Sequence, residues 1–120
     1  MHESGENYLE TILVLSKRNG VVRSIDIARE LDYSKPSVSR AVGILKEDGL
    51  ITIDPEGNIK LTKTGKKKAD SVYERHELLT EFLMKTAGVT LNTAEEDACR
   101  IEHVISEETF RGIKNYLLNL

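Results

Sequence analysis

Three side chains that bind transition metals well lie close together in the sequence near residue 100. Cys99, Glu102 and His103 supply a thiolate, a carboxylate and an imidazole, which are the three good metal-ligand types of proteins. Residues at i, i+3 and i+4 share one patch of a helix, and Glu95 lies one turn earlier on the same side. The pattern indicates a metal site on the fifth predicted helix.

The same residue types also occur in proteins without any metal. Cysteine is often a small apolar residue of the core, and glutamate and histidine are common on helix surfaces. His76 lies in an apolar stripe of the preceding helix, where a histidine is more often a hydrogen-bonded core residue than a ligand. Glu6 and Glu10 form an acidic pair at i, i+4, and most such carboxylates are solvated. Spacing alone therefore leaves both interpretations open.

A second group of residues has the chemistry of DNA recognition. The segment SKPSVSR at 34–40 opens the second of two short helices that are joined by a tight turn, which is the helix-turn-helix arrangement. Such a helix enters the major groove by its N-terminal end, where small hydroxyls allow close approach and Arg40 can bind guanine with two hydrogen bonds. The predicted DNA contacts are Ser34, Lys35, Pro36, Ser37, Ser39 and Arg40, with Lys60 from the hairpin that follows.

The elements that must position these groups follow from the periodicity of the apolar residues. Helices are predicted, in chain order, over residues 6–18, 25–31, 35–48, 63–86, 93–106 and 107–118, with N-caps at Ser24, Ser34 and Thr62 and with Thr93 opening the fifth helix. Residues 51–53 and 59–61 alternate apolar with polar around the turn sequence DPEGN, which predicts a β-hairpin. We therefore expect a mainly α fold, in which a winged helix-turn-helix with a small β-hairpin wing precedes a helical domain.

The charge is divided unevenly between two predicted domains. Residues 1–68, the predicted DNA-binding domain, carry a net charge of +2, and residues 69–120 carry −5, although the whole chain has only −3. A basic half suits contact with a polyanion. The apolar faces of the last three helices would cover one another poorly in a chain with two Phe and no Trp, which suggests a symmetric dimer through residues 69–120.

Several classes of protein are not expected from this sequence. No apolar run is long enough for a membrane span, and the N-terminus lacks the pattern of a secretory signal. A single cysteine excludes an internal disulfide and fits a reducing cytoplasm. No HExxH motif, nucleophile–base pair or Gly-rich phosphate loop is present, so we expect neither an enzyme nor a small-molecule substrate.

The order of elements and several segments resemble the family of metal-dependent repressors that includes the diphtheria toxin repressor and the manganese transport regulator. The segments are YLETIL at 8–13, DYSKPSVSRAVGILKEDGL at 32–50, LTKTGKKKA at 61–69, RHELLTEFL at 75–83 and EDACRIEHVIS at 96–106. The resemblance implies a homodimer whose N-terminal winged-helix domain precedes a helical metal-binding and dimerisation domain. It also implies a short form without the C-terminal β-barrel of the longer, iron-responsive members.

The resemblance assigns ligand roles residue by residue. Glu102 and His103 match ligands of both the iron and the manganese branch, whereas Cys99 matches the iron branch, since the manganese branch has glutamate there. His76 and Glu10 match ligands of a second, neighbouring site.

Three positions determine how many of the family's metal ligands this sequence retains. Asn7 stands where the family has methionine or aspartate, and its amide oxygen is a weak ligand for which Glu6 could substitute. Glu95 stands where the iron branch has a further ligand, and Thr80 replaces a family glutamate.

These observations lead to a hypothesis of a metal-controlled repressor of metal-homeostasis genes. A divalent cation would join the first helix, through Asn7 and Glu10, to the fourth and fifth helices, and thereby set the spacing of two recognition helices on operator DNA. The thiolate favours Fe(II) over Mn(II), with Co, Ni or Zn as competitors in vitro.

The alternative hypothesis is a redox-sensing winged-helix regulator that uses Cys99 without metal. Such a thiol needs an electropositive, accessible setting. Arg100 and His103 could provide that setting, whereas Glu102 and Glu95 argue against it.

Overall fold

The computed structural model describes the backbone of residues 3–120 and the side chains of residues 5–120. Its elements are, in chain order, α1 (Glu3–Asn19), α2 (Ser24–Leu31), α3 (Lys35–Glu47), β1 (Ile51–Ile53), β2 (Ile59–Leu61), α4 (Lys63–Ala87), α5 (Leu91–Ile101) and α6 (Glu107–Leu118). The chain divides into two compact units, Met1–Asp70 and Ser71–Leu120. This architecture confirms the predicted mainly α class with one small hairpin. In the described part of the chain, no helix has the length and apolarity that a bilayer crossing requires.

The first unit is built around the apolar stripe of α1. Leu9 and Ile12 are fully buried on that helix, and they are joined in the core by Ile27 of α2, Leu45 of α3 and Ile51 of β1. Helix α1 packs against α2, α3 and β2. The predicted stripe is confirmed, and Gly20 ends α1 with a φ of 80°, which an L side chain rarely adopts.

The helix-turn-helix forms as expected, with one correction. Helix α2 begins at Ser24 itself, so the predicted cap at Ser24 is wrong: Arg23 is the N-cap, and its backbone N–H donates to the Asp26 carboxylate over 2.9 Å. The predicted cap of α3 is confirmed, since the Ser34 hydroxyl oxygen accepts the backbone N–H of Ser37 over 3.3 Å. The Asp26 carboxylate therefore accepts a backbone N–H at the start of α2, as the Ser34 hydroxyl oxygen does at the start of α3.

The wing is a short antiparallel hairpin in which Ile51 pairs with Leu61 and Ile53 with Ile59. Asp54 closes its turn by accepting backbone N–H bonds from Asn58 (2.9 Å) and Glu56 (3.0 Å). The hydrogen bonds from Asn58 are the main reason why the pKa of Asp54 is lowered. The hairpin is therefore fixed at both its strands and its turn.

Helix α4 begins where the wing ends, and Thr62 connects the two. The Thr62 hydroxyl donates to the Gly49 carbonyl over 2.7 Å, and its oxygen accepts the Gly65 N–H over 3.0 Å, which confirms the predicted cap. Gly65 lies against the backbone of Leu50, and a Cβ there would overlap the Leu50 carbonyl. The glycine thus permits a close approach that no other residue allows.

The second unit contains the larger departures from the prediction. Helix α5 starts at Leu91, two residues before the predicted start at Thr93, because the Thr90 hydroxyl oxygen caps it by accepting the Thr93 N–H over 3.3 Å. The helix ends at Ile101 instead of Ser106, because Ser106 is the N-cap of α6 and the residues between form a turn. Helix α6 has the predicted bounds.

We expect Gly65→Ala to lower the free energy of unfolding by about 1–3 kcal/mol, because the new methyl group must displace the Leu50 backbone. Gly112→Ala is the matched control, since Gly112 is a helical glycine of α6 with open space around its Cβ position. That control should gain about 0.5–1 kcal/mol. Urea unfolding of both variants measures the difference, and equal stabilities would contradict the close packing of Gly65.

Candidate metal centre

The three residues predicted as a metal site lie where α5 ends. Cys99 is in the last turn of α5, Glu102 is its C-cap, and His103 belongs to the turn that follows. The prediction that one continuous helix carries all three is therefore wrong. Glu102 nevertheless has helical backbone angles (φ −56°, ψ −25°), so the backbone follows the course of α5 through this residue.

The structure brings the ligand atoms of these residues together. The Cys99 sulfur, a Glu102 carboxylate oxygen and a His103 ring nitrogen all lie within 4.8 Å of one another. We call this group the Cys99–Glu102–His103 cluster. Ligand bonds of about 2.0–2.3 Å place the donors around one ion roughly 3–4 Å apart. Small side-chain rotations would therefore suffice for a shared cation.

Glu102 is the most deeply buried member of this cluster. Its side chain is fully buried, that of His103 is 4% exposed, and Cys99 is partly exposed. One carboxylate oxygen lies 3.3 Å from His103 Nε2 and the other lies 3.4 Å from Nδ1 of His76, on α4. Among the described residues neither oxygen accepts a hydrogen bond of acceptable geometry. A buried carboxylate without hydrogen bonds is costly, and a cation would remove that cost, so the donor set fits a divalent metal.

The other predicted ligands differ in their surroundings. Asn7 and Glu10 are half-buried on α1, in the first unit, and so is Glu6. Glu95 is exposed on α5 and is not one of the residues whose ligand atoms cluster. Thr80 is buried and donates its hydroxyl to the His76 carbonyl over 2.7 Å. Ligand roles for Asn7, Glu10 and Glu95 remain predictions.

One residue beside the cluster, Arg75, was not predicted from the sequence. The Arg75 guanidinium donates to the Glu102 carbonyl over 3.0 Å and to the Glu107 carboxylate over 3.2 Å. It also lies over the Phe110 ring, 5.2 Å from its centroid. The signal that could have shown it is an arginine directly before His76, at the border of the apolar stripe of α4. An arginine at that border needs partners, and α5 and α6 supply them.

The predicted DNA contacts all lie in the first unit and are exposed. All six residues of the α3 end are exposed, and so is Lys60, opposite Thr52 in the wing; the six are Ser34, Lys35, Pro36, Ser37, Ser39 and Arg40. Arg40 makes no ion pair within the part of the chain that the structure describes, and it lines an open groove with Tyr33 and Ile44. Asp32 also lines this groove, but it makes no ion pair with Arg40, so the guanidinium can still reach a phosphate or a guanine.

The fold and the two groups of side chains define a class of protein: a winged-helix DNA-binding unit followed by a helical unit with a buried cluster of sulfur, nitrogen and oxygen donors. The family model of the iron-dependent repressor N-terminal DNA-binding domain matches residues 1–59. The model of the iron-dependent repressor metal-binding and dimerisation domain matches residues 62–120. The chain belongs to the iron-dependent repressor family, whose members are DNA-binding repressors and not enzymes.

Individual relatives agree with this assignment. The chain is 32% identical to the diphtheria toxin repressor of Corynebacterium diphtheriae over 115 residues, which are 96% of this chain and 51% of that protein. It is 29% identical over 118 residues to an uncharacterised helix-turn-helix transcriptional regulator of Methanocaldococcus jannaschii, covering 98% of this chain and 94% of that one. The solved structure of the manganese regulator SloR matches with a TM-score of 0.84 and 32% identity, over 94% of this chain and 53% of that chain. The chain thus spans about half the length of the diphtheria toxin repressor.

We expect Glu102→Gln to abolish most of the thermal stabilisation that a divalent cation gives the protein. A cation at about 100 times its Kd stabilises the folded state by ~2.7 kcal/mol, or roughly 10 °C in Tm. The amide is a weaker ligand than the carboxylate, although it has the same shape. Thermal unfolding with EDTA and with Co(II) measures the effect, and Glu96→Gln, an exposed position on α5, is the control. An undiminished Co(II) response in Glu102→Gln would show that the buried carboxylate holds no metal.

Proposed function

We propose that this chain is a metal-dependent repressor that binds double-stranded operator DNA as a homodimer in the cytoplasm. Residues 1–68 would bind DNA, and residues 69–120 would bind the metal and form the dimer. The observation that carries the proposal is the fully buried Glu102 carboxylate, which lies between two imidazoles and beside a thiol in a chain that also presents an exposed recognition helix. The relatives, a toxin repressor and a manganese regulator, support the same function.

The ligand set favours Fe(II) over Mn(II) as the physiological metal. Mn(II) prefers oxygen ligands, whereas a thiolate is a soft donor that binds later first-row metals better. Cys99 supplies such a thiolate within 4.8 Å of the Glu102 and His103 donors. Co(II), Ni(II) and Zn(II) would bind more tightly than Fe(II) in vitro for the same reason.

The residues of the chain would act by holding α5 and α4 in one arrangement. Cys99, Glu102 and His103 would hold the ion, with His76 beside them, and a bound divalent charge compensates the buried carboxylate and the thiolate. Asn7 and Glu10 of α1 would add ligands from the DNA-binding unit, as the family resemblance implies. The arrangement of the units would then depend on metal occupancy.

The energy required for such a switch is within reach. Moving a population from 1:99 to 99:1 takes about 5.5 kcal/mol of differential binding. Tight protein sites bind divalent metals with apparent free energies of ~10 kcal/mol. One or two sites in each subunit would therefore suffice to select the arrangement in which both recognition helices of a dimer meet their half-sites.

The surroundings of Cys99 favour a metal ligand over a redox sensor. Arg100, whose charge could have activated the thiol, is an exposed side chain paired with Asp97 over 3.2 Å. A carboxylate and an imidazole lie beside the sulfur instead. This setting offers coordination partners and little positive charge.

We expect Cys99→Ala to weaken metal-dependent DNA binding about tenfold or more while the fold stays intact, because one of few ligand bonds is lost. A duplex selected by the wild-type protein from a random-sequence pool in the presence of Co(II) serves as the probe. Gel-shift titrations with EDTA, Co(II) and Mn(II), and with Fe(II) under anaerobic conditions, measure the response. The loss should be larger for Co(II) than for Mn(II), because the thiolate is a soft ligand.

Glu96→Ala controls for the removal of a side chain from the exposed face of α5. An equal metal response of Cys99→Ala and the wild type would remove the thiol from the site. A wild-type protein that binds DNA equally in EDTA and in every metal would overturn the proposed function as a whole.

We expect Arg40→Ala to weaken binding to the same selected duplex about tenfold to a hundredfold, which corresponds to the ~1–3 kcal/mol of a bidentate contact. Its Co(II) affinity should not change, since Arg40 and the metal-ligand cluster lie in different units. Arg29→Ala, which removes an exposed arginine from α2, is the matched control. Equal losses in the two variants would mean that α3 has no special role in reading the operator.

A further inference from the structure

The turn between α5 and α6 contains two of the three clustered residues but has little backbone support of its own. Residues 102–105 lie outside the helices, and the N–H groups of Val104 and Ile105 both depend on a single acceptor, the Ile101 carbonyl. The last carbonyls of a helix have no partners within that helix. The position of Glu102 and His103 therefore depends on contacts from other elements.

Arg75 supplies such a contact from α4. Its guanidinium donates to the Glu102 carbonyl over 3.0 Å, at the C-terminal end of α5, where a cation is also favoured by the helix dipole. A second nitrogen binds Glu107 in the first turn of α6 over 3.2 Å, and the side chain is only 16% exposed. The guanidinium carbon also lies 5.2 Å from the centroid of the Phe110 ring, within the range of a cation–π contact. One side chain therefore ties both ends of the turn to α4.

We propose that Arg75 is a positioning residue for the metal site and holds the Glu102–His103 turn in a conformation that binds metal. This inference rests on the proposed metal site. Without Arg75, the turn would have to be ordered at the moment of binding, and the affinity would fall. Partners of ligands that fix their orientation commonly change metal affinity by about tenfold to a hundredfold, and we expect a loss of this size for Arg75→Ala.

The second unit offers a close control for a merely structural effect. Lys114 of α6 pairs with Glu74 of α4 over 3.2 Å. This pair links the same two helices as Arg75 does, and Glu74 directly precedes Arg75 in the sequence. Within the described part of the chain, Lys114 makes no hydrogen bond or ion pair with residues 102–105. If loss of any α4–α6 link weakened the site, Lys114→Ala would have the same effect as Arg75→Ala.

The experiment is a Co(II) titration of the metal-free full chain, followed by the absorption of the thiolate–Co(II) charge-transfer band. The variants are Arg75→Ala, Arg75→Lys and Lys114→Ala, each checked by thermal unfolding in EDTA and titrated well below its Tm. Lysine keeps the charge but cannot bind two acceptors in the fixed geometry of a guanidinium. Arg75→Lys should therefore weaken Co(II) binding less than Arg75→Ala, and Lys114→Ala should stay within about twofold of the wild type.

Each result has a defined meaning. The positioning role is supported if Arg75→Ala loses Co(II) affinity, Arg75→Lys loses less of it, and Lys114→Ala binds Co(II) like the wild type. Wild-type Co(II) affinity in Arg75→Ala, or an equal loss in Lys114→Ala, overturns it while the metal site itself stands. If Arg75→Ala does not fold, Arg75→Lys decides, because unchanged Co(II) affinity in that variant also overturns the inference. Absence of a thiolate–Co(II) band in the wild type would instead reject the proposed site.

Discussion

A carboxylate removed from water controls the chemistry of the second unit. Glu102 is fully buried between the His76 and His103 rings and accepts no hydrogen bond from the described residues. Proteins seldom bury a charge without compensation, because its desolvation outweighs most single contacts. The surrounding side chains are metal-ligand types and do not form a network of hydrogen-bond donors. The arrangement is therefore suboptimal for stability alone and well suited to a cation.

In the first unit, the N-terminal end of α3 is held in place while it remains exposed. Leu9, Ile12 and the other core residues of α1 hold α3 from behind, so the residues of its N-terminal turn can remain exposed. Gly65 and Thr62 fix the start of α4 against the end of α3 and the wing. Rigid support behind an exposed surface is what specific recognition of DNA demands, because misplaced contacts lose both affinity and discrimination.

Most of the fold could be predicted from the sequence, because it follows from local rules. Apolar periodicity identified α1, α3 and α6, and the DPEGN turn with alternating isoleucines identified the wing. The errors fall where two local signals compete. Thr90 and Thr93 are both good caps, and only the hydrogen bond from Thr93 to Thr90 shows which one begins α5. Residues 102–105 continue the helical pattern, whereas Ser106 requires a new start for α6.

The candidate site was only partly predictable for a related reason. Cys99, Glu102 and His103 are near one another in the chain, so spacing alone could suggest them. Arg75 is 27 residues away from its acceptor, and no local rule connects the two. The burial of Glu102 could not be predicted either, since it depends on how α4 lies against the end of α5.

The three residues of the cluster differ in burial, so the proposed ligands differ in how much they contribute to packing. Glu102 and His103 are enclosed, so replacing either disturbs the packing around them, whereas Cys99 is partly open to solvent and is held by α5. Exchanging the sulfur for an oxygen donor would alter the hardness of the site and leave no cavity in the core. If the proposed site holds a metal, its selectivity among divalent ions could change at this one position without altering the packing of the core.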